Sequence, residues 1–202
     1  FRSIEGNKLM ISVLDVGIGN QGSIVNIIED VGYSCRIINE PEEISNASLL
    51  ILPGVGHVDS FMNAVDPFLE ALNRHVVKDK KPLLGICLGA HVLGKKSEEG
   101  SRECFGWLDF NVEEFDKKVV KTSPNMGWIV HDSGKRYYYA HSFYVPSKYE
   151  MNFDECDIRD YNGVKFVTMF KKNNIFGTQF HPEKSGKSGK KLMKQIILDF
   201  NV

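Results

Sequence analysis

The chain has 202 residues, 42% of them hydrophobic and 25% charged, with a formal net charge of −1. That length suits one domain with its own core. The near-neutral balance excludes the basic face of a nucleic-acid binder, and no apolar run approaches the roughly 20 residues that span a bilayer. The opening residues, Phe1-Arg2-Ser3-Ile4-Glu5-Gly6-Asn7-Lys8-Leu9, lack the apolar region of a secretory signal, so the chain reads as cytoplasmic. Cys35, Cys87, Cys104 and Cys156 are scattered, with no closely spaced pair. They read as free thiols of a reducing compartment, and neither a metal nor an organic cofactor is implied. The first strand pattern starts at Met10. Residues 1–9 are therefore set aside as foreign to the fold, and 10–202 are read as a single domain.

Residues 10–16 (MISVLDV) form a β-rich apolar run, followed at once by Gly17-Ile18-Gly19-Asn20-Gln21-Gly22. Helical spacing over 23–31 ends at Gly32, which is placed to cap it. Residues 34–39 and 47–52 read as further strands, the latter running into Pro53-Gly54-Val55-Gly56. Phe61, Val65, Phe68, Leu69 and Leu72 form the apolar stripe of one helix over 59–77. Residues 82–86 give a fourth strand ending at Cys87, and 88–95 a helix after it. Near-continuous apolar strands alternating with helices predict a mainly parallel α/β sheet covered on both faces. The second half reads differently. Strand-like stretches at 107–115, 136–145, 164–170 and 174–180 are separated by Gly, Asn and charged turns, predicting a mixed or antiparallel extension before a last helix over 187–200.

Gly85-Ile86-Cys87-Leu88-Gly89 sets a cysteine between two glycines at a strand-to-helix switch, the arrangement of a nucleophile elbow. Glycines permit the sharp turn and the approach of a substrate, and unpaired N–H groups at the helix start favour a thiolate. The other three cysteines read as small core residues. His181-Pro182-Glu183 follows the strand over 174–180, at a strand end where an open α/β sheet gathers its ligand crevice. His181 can serve Cys87 as base, and Glu183 can orient the imidazole. Alone, His181 would be an ordinary turn histidine. The Gly54–Val55 backbone and the Leu88 N–H are positioned to hold an oxyanion, although a glycine-rich loop is also what any tight βα connection uses.

Six segments then occur in order: Leu52–Gly56 (LPGVG), Gly85–Gly89 (GICLG), Ser97–Gly100 (SEEG), Pro124–Trp128 (PNMGW), Ala140–Tyr144 (AHSFY) and Gln179–Ser185 (QFHPEKS). From Met10 to the C-terminus the chain resembles the class I glutamine amidotransferases, and within them the glutaminase subunits of imidazole glycerol phosphate synthase. The resemblance implies a flavodoxin-like open sheet and a Cys87–His181–Glu183 triad that hydrolyses L-glutamine through a thioester. It implies an oxyanion hole from Gly54, Val55 and Leu88. Glu99 and the His141–Ser142 backbone would grip the α-amino and carboxylate groups. Ammonia would pass to a (β/α)8-barrel cyclase subunit of histidine biosynthesis, bound as a heterodimer across Asn20, Asn125, Met126 and Trp128. This chain departs from the usual pattern at Ala90-His91, where Met-Gln is the rule, at Asn125 in place of His, and at Val16 and Gln21 in the first loop. His91 would replace a glutamine-binding Gln and make binding weaker or pH-dependent, or else simply face solvent. Departures at partner-facing positions leave open a paralogue that supplies a surface-sugar-modifying synthase.

Other signals point elsewhere. Gly17–Gly22 matches the dinucleotide fingerprint GxGxxG, with Glu40 ending the next strand, but that reading leaves Cys87 and His181 idle. Gly186-Lys187-Ser188 lacks the glycine that a phosphate loop needs five residues earlier, where His181 stands. Tyr137–Tyr139 is as ordinary in a strand as on a base-stacking surface. A catalytically silent regulatory subunit is conceivable from His91, but the Cys, His and Glu are all present.

Overall fold

A computed structural model describes residues 10–200, so the expectation for 1–9 lies outside the described residues. The apolar runs become short strands: β1 (Ile11–Leu14), β2 (Cys35–Ile38), β3 (Leu49–Leu52) and β4 (Leu83–Ile86). They pair in parallel in the order β2-β1-β3-β4. Alternation sends their side chains to two faces. Ile11, Val13, Leu49, Ile51, Leu84 and Ile86 join one core, while Leu14, Leu50, Leu52 and Leu83 join the other. Helix α1 (Gln21–Asp30) buries Ile24, Ile27 and Ile28 on the first face, a three-and-four spacing. Gly32 follows it at φ +94°, as its expected capping role requires.

The single helix expected over 59–77 is broken. Helix α2 (Val58–Ala64) stops before Pro67, a 3-10 turn spans Asp66–Phe68, α3 covers Leu69–Asn73, and a wider π turn covers Arg74–Lys78. A proline inside a helix removes a donor and clashes with the preceding turn. The apolar stripe survives the break, because Phe61, Val65, Phe68 and Leu72 all remain buried. The helix expected over 88–95 shrinks to α4 (Leu88–His91). The carbonyls of Val92 and Leu93 are taken by the N–H groups of Phe105 and Leu108. Gly94 lies so close to Phe110 that an added Cβ would meet its ring at 2.5 Å.

The second half extends the sheet as expected, with some shifts. After β5 (Lys96–Ser97), the run at 107–115 yields β6 (Asn111–Glu114). Three strands were not anticipated: the short β5, β7 (Asn125–Val130) and, further on, β10 (Glu155–Tyr161). The stretch 136–145 divides at Ser142 into β8 (Arg136–His141) and β9 (Phe143–Pro146). β7 and β8 form their own antiparallel pair, whereas β9 rejoins the main sheet beside β6. β11 (Val164–Lys172) and β12 (Ile175–Thr178) complete it, giving the order β2-β1-β3-β4-β12-β11-β9-β6-β5, with β10 against β11. β12 runs parallel to β4 and antiparallel to β11, so the sheet is parallel through its first half and mixed beyond.

Helix α5 (Gly186–Asp199) closes the first face with Leu192, Met193, Ile196 and Ile197. Each such side chain contributes about 1.5–3 kcal/mol on full burial. Among the described residues no helix is long and apolar enough to cross a membrane.

Candidate active site

β4 and β12 are neighbours in parallel register, with Ile86 opposite Thr178. Their C-terminal ends therefore carry Cys87 and the segment Gln179–Glu183 to the same edge of the sheet. Cys87 turns the chain at φ +49°, ψ −107°, a conformation that L-residues avoid and that is seldom kept without a reason. Its N–H donates to Thr178 O at 2.6 Å, which ties the elbow to β12. The flanking glycines are steric necessities. An added Cβ on Gly85 would lie 2.5 Å from Gly89 O, and one on Gly89 would lie 2.3 Å from Leu52 O. Gly54 packs tighter still, since its added Cβ would fall 1.5 Å from Ile86 O. The loop after β3 is thus pressed against the elbow, and Gly54, Val55 and Leu88 line one cavity with Cys87, of about 320 Å³.

His181 and Glu183 meet as expected. His181 Nδ1 lies 2.8 Å from Glu183 Oε1, and both side chains are almost fully buried. That bond leaves Nε2 as the nitrogen available to Cys87. Burial alone would lower the imidazole pKa, but hydrogen bonding to Cys87 and Glu183 outweighs it and raises the value to about 10. The electrostatics therefore favour an imidazolium between a sulfur and a carboxylate.

Glu99, His91, His141 and Ser142 line the same cavity. Glu99 accepts from the Val58 N–H at 3.2 Å, and burial raises its pKa, opposed by His57 and by that hydrogen bond. His141 is fully engaged. Its Nδ1 donates to Phe143 O at 2.8 Å and its Nε2 accepts from Asn125 at 2.9 Å. The Ser142 carbonyl is taken by the Phe115 N–H at 3.0 Å.

Two expectations need correction, those for Asn125 and His91, and Asn20 has a contact within the chain that was not expected. Asn125 is 3% exposed and spends its amide on His141, so it faces inward and not a partner. Asn20 donates to Glu183 Oε1 at 2.5 Å and thereby buttresses the triad. His91 is buried and within 2.8 Å of Gln179, not turned to solvent. Burial, partly offset by that bond, pushes its pKa to about 4, which removes the charged ring that a pH-dependent pocket would need near neutrality. Met126 and Trp128 do face outward, at 65% and 49% exposure, with Val130 alongside, because alternation on β7 turns Asn125 in and these three out. Of the other two departures, Val16 packs against the core and Gln21 bonds Asp15.

Cys87 lines the cavity, and Cys35, Cys104 and Cys156 do not. Burial pushes the Cys35 thiol to about 12 and Cys104 to about 11, and Cys156 is exposed, not a core residue as expected. The dinucleotide reading also fails locally. Gly22 has open space around it where that motif needs a close approach, and Glu40 is occupied in a capping box with Glu43. Tyr137 and Tyr139 are core residues, unavailable for stacking on a base. Gln179 is the residue that sequence reasoning missed. Its Nε2 lies 3.7 Å from Cys87 Sγ. The available signal was a polar residue between a buried strand and His181.

Comparison with known proteins agrees with this geometry. The model of the glutamine amidotransferase class-I family matches residues 12–200. A protein of Methanococcus maripaludis named imidazole glycerol phosphate synthase subunit HisH 2 is 40% identical, covering 93% of this chain and 98% of that protein. One of the same name from Pseudomonas aeruginosa is 35% identical over the same shares. A solved glutamine amidotransferase, 15% identical, superposes with a TM-score of 0.72 over 95% of this chain and 99% of its own. The chain belongs to the class I glutamine amidotransferase family, and it is an enzyme of that family.

Proposed function

We propose that this enzyme hydrolyses L-glutamine to glutamate and ammonia, with Cys87 as nucleophile. The observation that carries the proposal is the strained Cys87 turn at a cavity wall shared with His181, whose other nitrogen is held by buried Glu183. The thiolate attacks the side-chain amide carbon, and the charge that develops on oxygen is met by backbone N–H groups of the Gly54–Val55 loop and Leu88. His181 Nε2–H protonates the departing amine, which leaves as ammonia. The ring, now neutral, takes a proton from water. The resulting hydroxide attacks the thioester, and glutamate departs as Cys87 returns to the thiolate. Glu183 fixes the ring through Nδ1, and Asn20 steadies the carboxylate. Glu99 meets the substrate α-amino group, and N–H groups near Ser142 meet its carboxylate.

The related proteins are named as subunits of imidazole glycerol phosphate synthase. By that likeness the ammonia goes to a partner synthase subunit, a (β/α)8-barrel cyclase of histidine biosynthesis. The exposed apolar row Met126, Trp128 and Val130, of which Met126 lines the cavity, is the surface offered to it. A paralogue serving a surface-sugar synthase was suggested by departures at supposed partner-facing positions. Asn125 points inward and Val16 packs on the core, which removes most of that ground. Restoring growth of a histidine auxotroph that lacks its own glutaminase subunit tests the assignment. Failure to grow with normally expressed, folded protein would return the paralogue to first place.

A further inference from the structure

Gln179 has no step in the chemistry above, yet its amide meets the reacting sulfur, with Nε2 3.7 Å from Cys87 Sγ. Its other amide atom, Oε1, lies 2.8 Å from His91 Nε2. An amide oxygen only accepts, so His91 carries its proton on Nε2. A thiolate selects this arrangement. Turning the amide over would set Oε1 against the sulfur and an N–H against the ring N–H. Both residues are buried, so neither bond competes with bulk water. Burial, opposed by the bond to Gln179 and aided by nearby His181, also keeps the ring neutral down to about pH 4, so it is the tautomer set by the Gln179 oxygen that puts the proton on Nε2.

We infer that His91 is a positioning residue acting through Gln179: its Nε2–H fixes the Gln179 amide so that the amide N–H stabilises the Cys87 thiolate. This rests on the reading of Cys87 as nucleophile. It assigns His91 a role distinct from direct contact with glutamine. It also accounts for what the position accepts. A Gln side chain carries an N–H at about the reach of histidine Nε2, whereas an Asn amide ends near Nδ1 and falls short. Histidine in place of the usual glutamine therefore keeps the donor.

Alkylation of the full chain by iodoacetamide at neutral pH, followed peptide by peptide by mass spectrometry, reads thiolate reactivity without glutamine or partner. Exposed Cys156 is the internal reference. His91→Leu and Gln179→Leu are each expected to slow Cys87 alkylation by roughly three- to tenfold, the scale of one hydrogen bond. The double variant should be no slower than either single one, since both changes break one path. His91→Gln should restore the rate and His91→Asn should not. Should the leucine variants not fold, the Gln and Asn pair decides alone. Losses that multiply in the double variant, equal rates for Gln and Asn, or an unchanged rate in His91→Leu would overturn the relay. Wild-type Cys87 reacting no faster than Cys156 would overturn the nucleophile reading and the relay with it.

Discussion

His91→Gln has a second consequence, on stability, whose size follows from burial. The folded pKa of His91 is pushed to about 4 from an ordinary 6.5, chiefly by burial. A depressed histidine pKa means that the unfolded chain binds the proton first. The contribution to stability is therefore full above 6.5 and shrinks as pH falls from 6.5 towards 4. At about pH 5 the medium lies about 1.5 pH units below the unfolded value, and at 1.36 kcal/mol per unit the loss is about 2 kcal/mol relative to about pH 8. His141, pushed to about 3 mainly by burial, adds a loss of similar size. His181 runs the other way. Raised to about 10, its contribution is full below 6.5 and fades as pH rises through 10. Burial dominates the His141 shift and His91 is a smaller contributor to it, so these last two terms largely cancel in the comparison. Urea unfolding of both proteins at the two pH values isolates His91. The variant should lose about 2 kcal/mol less than wild type on acidification, a midpoint difference of about 1 M for a slope of about 2 kcal/mol/M. Parallel losses in the two proteins would mean that His91 is not held neutral in a buried site.

Gly54→Ala should reduce glutamine turnover by at least about 100-fold, the scale of losing one oxyanion donor, because its Cβ would fall 1.5 Å from Ile86 O and force the loop away. Ammonia-dependent synthesis in the complex should survive, and its loss as well would point to misfolding. Glu183→Gln should lower the His181 pKa from about 10, read by NMR titration, and cut kcat by roughly 100- to 10,000-fold, since the imidazolium loses its charged partner. An unchanged titration would remove Glu183 from the triad. Trp128→Ser should weaken partner binding by more than about 1 kcal/mol in calorimetry with little change in thermal stability. Asn125→Ala should do the reverse, costing about 1–3 kcal/mol of stability by leaving buried His141 Nε2 unpartnered.

The parallel half of the sheet was legible because strands buried on both faces are nearly continuous apolar runs, as β3 and β4 are throughout and β1 is apart from Ser12. β10 was hidden because its polar sequence, Glu155–Tyr161, pairs with β11 alone and has little core to declare it. Pro67 was a readable break that the strong apolar stripe around it masked. Cys87, His181 and Glu183 were legible because local chemistry advertises them, through the glycines that crowd Cys87 and the turn that joins His181 to Glu183. The roles of Asn20, Asn125 and Gln179 depend on partners up to 163 residues away, which spacing along the chain does not encode. Asn125 is the instructive case. Its segment was expected to face a partner, but the alternation that hides Asn125 and exposes Met126 depends on pairing with β8.

The central claim is that Cys87 attacks the glutamine amide, and a glutamine analogue with a reactive diazoketone side chain tests it most directly. Incubated with the complex and digested, the protein should carry one adduct, on the peptide containing Cys87. Excess glutamine should protect it, and His181→Ala should slow its formation. An adduct on Cys35, Cys104 or Cys156 instead, or labelling of Cys87 that glutamine does not suppress, would contradict the account.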